Sequence, residues 1–144
     1  MVSGNPPGKI ARESRAELGS AFETGKRNGP MGRVRCVTEM GMGVDVHGRD
    51  ATKAAKRAVS DAIRHSSLGF VRMLGKTPHD MFVDVTIGVP DPAAVDTSAV
   101  AKELPYGTVT VKAVKGGLEI AAESGGDAIT IANAAVIVSL DDGK

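Results

Sequence analysis

From Gly32 onward the chain shows periodic alternations of apolar and polar positions that assign most of its elements. Arg33 to Glu39 alternates with a period of two, placing Val34, Cys36 and Thr38 on one face and Arg33, Arg35, Val37 and Glu39 on the other. That pattern predicts a strand whose apolar side holds Cys36 as an inert core thiol. The segment that follows, Met40 to Gly48, carries Gly41, Gly43 and Gly48, which is too much glycine for a plain strand interior, so a bend, bulge or loop is expected there. Asp50 then caps a helix in which Ala51, Ala54, Ala55, Ala58, Val59, Ala62 and Ile63 recur at helical spacing. A stripe made mostly of alanine lets such a helix lie close to whatever it covers, most naturally a sheet.

Met81 to Val89 is the clearest strand, with Met81, Val83, Val85, Ile87 and Val89 on one face and Asp84 and Thr86 on the other. Pro90 and Pro92 stop it. Asp96-Thr97-Ser98 caps a shorter helix through Val100 and Leu104, which Pro105 and Gly107 end. Thr108 to Val114 reads as a strand, Gly116-Gly117 as a turn, and Leu118 to Ala121 as its continuation or a hairpin partner. Ile129 to Leu140 is a final long strand. The order β-α-β-α-β-β predicts an α+β domain: a single mixed or antiparallel sheet with two helices on one face. The opposite face is expected to carry Glu39, Asp84, Thr86, Thr110, Ala132 and Ala134. Small and polar rather than charged, such a face suits burial against a symmetry mate, so a closed homo-oligomer, a trimer, is expected.

Residues 1–30 read differently. Pro6-Pro7-Gly8 and Asn28-Gly29-Pro30 bracket a polar stretch in which Leu18, Ala21 and Phe22 form only a thin apolar stripe. This predicts an appendage, flexible or a short helix, preceding a single domain over 31–144. Its Glu13, Glu17 and Glu23 argue against an organellar transit peptide.

Composition narrows the function classes. The 144 residues carry 18 Lys and Arg against 17 Asp and Glu, a net charge of +1, so nothing draws the whole chain to nucleic acid or to a membrane surface. Aromatic residues, at 3%, are too few for a base-stacking platform. One cysteine excludes an intrachain disulfide and a multi-cysteine zinc site, which suits a reducing, cytoplasmic setting. No apolar run approaches the roughly 20 residues of a membrane span. Gly41 and Gly43 are not followed by a dinucleotide fingerprint or a P-loop, and no cofactor is expected.

The candidate chemistry concentrates at 39–57. Asp45 and His47 stand two apart, so an extended segment puts them on one face, and a turn at Gly41 and Gly43 would bring Glu39 to them. A carboxylate beside a histidine raises its pKa and fixes its tautomer, as proton transfer requires. Glu39 and His47 are the acid/base candidates and Asp45 the orienter. The same groups could ligate a metal, although two or three ligands from one loop are a weak signal. Arg35, Lys53 and Arg57 are candidates for an anion clamp, with Gly41, Gly43 and the Asp50 cap shaping the approach. The bland reading is a hydrogen-bonded turn for Asp45 and His47, a plain N-cap for Asp50 and solvated charge for Lys53 and Arg57. His65, at the end of the first helix, reads as structural, and Ser66 and Ser67 lack a neighbouring base.

Val85-Thr86-Ile87-Gly88-Val89-Pro90-Asp91, the capped helix, Glu103-Leu104-Pro105-Tyr106-Gly107 and Val109-Thr110-Val111 resemble the second half of the AroH-class chorismate mutases. Their fold, shared with the YjgF/Rid imine deaminases, implies a trimer with clefts between subunits. The run Glu39-Met40-Gly41-Met42-Gly43-Val44-Asp45-Val46-His47-Gly48-Arg49-Asp50-Ala51-Thr52-Lys53-Ala54-Ala55 resembles the signature of a small family of stand-alone bacterial proteins of unknown function. The strand-glycine-helix entry is also similar, more distantly, to one repeat of the ring-opening amidohydrolases of cyanuric acid and barbiturate. The mutases and deaminases need an Arg on a late strand, and Ile129 to Leu140 contains neither Arg nor Lys. The amidohydrolases use a Ser–Lys pair where this chain has Glu39 and no matching Ser. The resemblances therefore imply a fold, not a chemistry. The expectation is a homotrimeric small-molecule-binding protein, an enzyme with hydrolase- or deaminase-like acid–base chemistry, acting on a small anionic or cyclic-amide metabolite in an inter-subunit cleft. Its alternative is a non-catalytic oligomeric binding or regulatory module.

Overall fold

The computed structural model describes residues 32–144; the expected appendage over 1–30 lies outside them. Five strands, β1 (Arg33–Asp45), β2 (Phe82–Val89), β3 (Thr108–Lys115), β4 (Leu118–Ala121) and β5 (Ala128–Asp141), form one mixed sheet. Its order is β1-β5-β2-β3, with β4 also pairing to β5. Three helices, α1 (Ala51–Ile63), α2 (Gly69–Met73) and α3 (Thr97–Ala101), complete the α+β architecture expected from the element order. Parallel β2 and β3 need a crossover between them, and the segment containing α3 supplies it. β3 and β4 do not form a hairpin: β4 pairs antiparallel with the first residues of β5, Leu118 opposite Ile131.

The core lies between the sheet and the helices. Met81, Val83, Val85, Ile87 and Val89 are all buried, as their alternation requires, and face Ala54, Ala55, Ala58, Val59 and Ala62 of α1 together with Val71 and Val100. α3 stops at Ala101 rather than at Leu104, because a residue preceding a proline is driven out of the helical region. α2 is too short to announce itself by periodicity. The Thr52 hydroxyl ties α1 to the segment before α3 by accepting from the Asp96 amide at 2.9 Å.

β1 departs from the sequence reading in two ways. It runs unbroken through Gly41 and Gly43 instead of bending there. A methyl group at Gly41 would overlap the Ala58 carbonyl oxygen and the Ala62 amide nitrogen; at Gly43 it would overlap the Ala54 carbonyl and the Ala58 amide. The glycines are a clearance for α1, which rests on the strand backbone, not a hinge. The alternation is also broken by an irregularity between Arg35 and Val37, where Cys36 is the extra residue. Cys36 is therefore exposed rather than in the core. Val37 and Glu39 turn toward the helices, opposite Val138 and Val136, while Thr38, Met40, Met42 and Val44 take the open face.

That open face is more apolar than expected. Asp84, Thr86 and Thr110 lie on it, but Ala132 and Ala134 are buried on the helix side and Glu39 faces that side as well. Its place is taken by Met40 (72% exposed), Met42, Val114, Leu118 (62%) and Ile120, with Ile131 and Ile137 between them.

Candidate functional site

Asp45 closes β1 on the helix side and is 1% exposed. Its Oδ2 accepts from the Asp50 amide at 3.0 Å, and its Oδ1 lies 3.2 Å from Lys53 Nζ and 4.0 Å from Arg57 Nη1. The Oδ1 contact with Lys53 is an ion pair without an aligned donor, so that oxygen keeps an unused lone pair. The Asp50 amide first, and then the two cations, hold the Asp45 carboxyl below its ordinary range against the opposing pull of burial. A carboxylate so held stays ionised near neutrality and is a weak base. Lys53 and Arg57 are about half exposed, so each presents free donors to solvent beside this buried charge. Asp50 is the N-cap of α1, its side chain accepting from the Lys53 amide at 3.0 Å.

Arg57 also donates to the carbonyl of Val44, and Asp61 accepts from the amide of Met42 at 3.0 Å. Both groups belong to the outer strand of the sheet. Because the glycines let α1 come so near, its side chains reach over the strand and satisfy main-chain groups that would otherwise be open for pairing. The Met42 amide, followed by His65, keeps the Asp61 carboxyl low.

His47 does not meet Asp45. Its Nδ1 lies 3.3 Å from Asp127 Oδ2, while Asp127 Oδ1 accepts from the amides of Gly48 at 3.0 Å and Ala128 at 2.8 Å. Those two amides, more than His47, lower the Asp127 carboxyl. Arg49, in a left-handed conformation with φ of 52°, approaches Glu119 at 3.7 Å. Residues 46–50 are thus fastened to the β4–β5 corner at two points. Asp127 is 80 residues from His47, and only a generic Gly-Gly-Asp turn marks it in the sequence.

Glu39 stands apart. Six residues of strand, about 20 Å, separate it from Asp45, and it lines an apolar cavity at the other end of α1 with Val37, Ile63, Leu68 and Tyr106. Arg35 is exposed opposite Ser139, cut off from Glu39's face by the irregularity at Cys36. The structure therefore joins Asp45, Asp50, Lys53 and Arg57 in one corner and His47 to Asp127 beside it. It leaves Glu39 and Arg35 out and places Gly41 and Gly43 beneath α1. Among the described residues no three His, Cys, Asp or Glu side chains group as a metal would need, and no helix is long and apolar enough to cross a membrane.

A single mixed sheet, helices on one face, a bare face opposite and a charged corner where β1 enters α1 define the class of this protein. The chain belongs to the family described as "Conserved hypothetical protein (Lin0512_fam)", whose model matches residues 35–138 and so includes the 39–55 run and the charged corner. Among solved structures it is similar to a protein of Nostoc punctiforme described as an FtsZ-like protein of unknown function. That likeness has 36% identity and a TM-score of 0.71, covering 78% of this chain and 99% of the other. No curated protein matches.

Proposed function

We propose that this protein is a self-assembling small-molecule-binding module, a homotrimer in which the open sheet faces are buried against one another. The Asp45–Lys53–Arg57 corner forms the polar wall of a cleft that a neighbouring copy completes. The exposed apolar row on the open face, Met40, Met42, Leu118 and Ile120 above all, carries this reading. Residues of this kind, contiguous over one face of a sheet, mark a surface that is covered in the working state. On the helix side of the sheet, beside β1, Lys53 and Arg57 offer free donors to a small anion or cyclic amide.

The charged corner supports binding before catalysis. Asp45 is held ionised by donors, and the one histidine nearby, His47, is paired with Asp127 outside the corner, so the corner itself offers cations rather than a base. One observation favours an enzyme as a second reading: the Lys53 ammonium, half exposed and held beside the buried Asp45 carboxylate, could polarise the carbonyl of a bound amide.

Light scattering on the full chain at micromolar concentration tests the assembly. A trimer that dissociates in Met42→Glu or Leu118→Glu is expected, and a monomeric wild type overturns the reading. Thermal-shift titration with phosphate, oxalate and barbiturate tests the corner. Stabilisation by one of them, lost in Lys53→Gln and Arg57→Gln, is expected; no response to any of the three removes the ligand half of the proposal.

A further inference from the structure

The cavity around Glu39 is lined mostly by apolar side chains, with one carboxylate and the hydroxyl-bearing Ser66 and Tyr106. Val83, Val136 and Val138 line it from β2 and β5, Ile63 and Leu68 from the end of α1 and the approach to α2, and Tyr106 from the segment before β3. No basic side chain lines it, and among the described residues Glu39 takes part in none of the ion pairs. An ionised carboxylate set against hydrocarbon loses solvation that only an opposite charge or good donors can restore. The Tyr106 ring is fixed edge-on to His79, with centroids 5.6 Å apart and planes at 90°. An aromatic ring carries negative charge density on its faces, and Tyr106 shares the lining of the cavity with Glu39.

A carboxylate, an aromatic ring and dry walls together form the arrangement that recognises an organic cation. We infer that this cavity binds a small apolar ammonium compound, its cation paired with Glu39 against Tyr106 and its hydrocarbon body on the valines of β2 and β5. The cavity measures about 170 Å³. That is below the roughly 300–1,000 Å³ of pockets that take drug-sized ligands, so it suits a single ring bearing a short arm. Neutral molecules of the same shape would strand the carboxylate, and anions would meet it head-on. The site lies at the opposite end of α1 from the charged corner and does not depend on the assembly or ligand proposed for that corner.

Methyl-labelled full-length protein titrated with benzylammonium, benzyl alcohol and benzoate, followed by NMR, tests the inference. Saturable shifts at the methyls of Val37, Val136 and Val138 are expected with benzylammonium, with benzyl alcohol binding at least tenfold more weakly and benzoate not at all. Glu39→Gln, which keeps the shape and removes the charge, should weaken benzylammonium about tenfold and leave benzyl alcohol unchanged. Tyr106→Leu, at an exposed position that leaves the core intact, should weaken benzylammonium several-fold. Equal affinity for the amine and the alcohol, an unaltered Glu39→Gln, or shifts that never saturate would each overturn it.

Discussion

Gly41 of β1 lies directly against the main chain of α1 at Ala58 and Ala62, with the Ala62 Cα 3.0 Å from where a Cβ would sit. The obstructing atoms are backbone, which cannot swing aside as the end of a flexible side chain could. Gly41→Ala and Gly43→Ala should each cost about 3 kcal/mol or more, at the upper end of overpacking effects. Gly48→Ala, where nothing lies within 4 Å of the new methyl, should cost only the strain of its positive φ. Urea unfolding of the three variants checks this, and equal losses would refute the clearance role.

The Met42 amide is expected to exchange slowly although Met42 is exposed, because Asp61 accepts its hydrogen bond. Asp61→Ala should speed that exchange and lower the stability of the chain, since the Met42 amide loses its charged acceptor. Hydrogen exchange followed by NMR reads both effects. Unchanged protection of Met42 in the variant would place its partner elsewhere.

Asp45, Asp61 and Asp127 all have carboxyls below the ordinary 3.8 in the folded chain. A depressed folded pKa means that the unfolded chain binds protons first as pH falls. The stability from these groups is complete above the unfolded carboxylate range and is lost on descending through about 4 toward the lower folded values. Asp127→Asn should flatten this acid limb by lowering stability at pH 7, where the ionised carboxylate contributes, while changing little at the acid end, where Asp127 is itself protonated. Chemical denaturation between pH 2 and 7 provides the comparison; an unchanged slope would show that the Asp127 cluster contributes nothing to it.

Cys36 should react with a thiol reagent in the native protein as fast as in the unfolded chain, since the irregularity in β1 leaves it exposed. Protection in native buffer would restore the buried thiol that simple alternation predicts.

The parts of the fold visible in the sequence are those where one periodicity persists. The seven-position stripe from Ala51 to Ile63 and the alternation from Met81 to Val89 place α1 and β2 without ambiguity. β1 was opaque for two physical reasons. A glycine reads locally as freedom to bend, yet Gly41 and Gly43 serve a tertiary need, room for a helix backbone, that no local pattern reveals. One extra residue at Cys36 then reverses the facing of everything after it, which is why Glu39 emerges among the helices. The charged corner was half legible: Asp50, Lys53 and Arg57 share a helix with known spacing, so their approach to Asp45 follows from the β1–α1 connection. The partner of His47 was not, because Asp127 reaches it only through the pairing of β5 with β1.

The closing of β1 by Arg57 and Asp61 bears on how far copies of this chain can associate. Strand-to-strand growth into a filament needs two receptive edges on each copy, one to give and one to receive. Here the Met42–Val44 stretch of the β1 edge is stoppered by the helix's own side chains, so that part of the edge cannot receive another strand. Growth through strand edges is thereby opposed at this stretch of β1, whereas contact through the sheet faces would leave the number of copies to be set by closure rather than by supply.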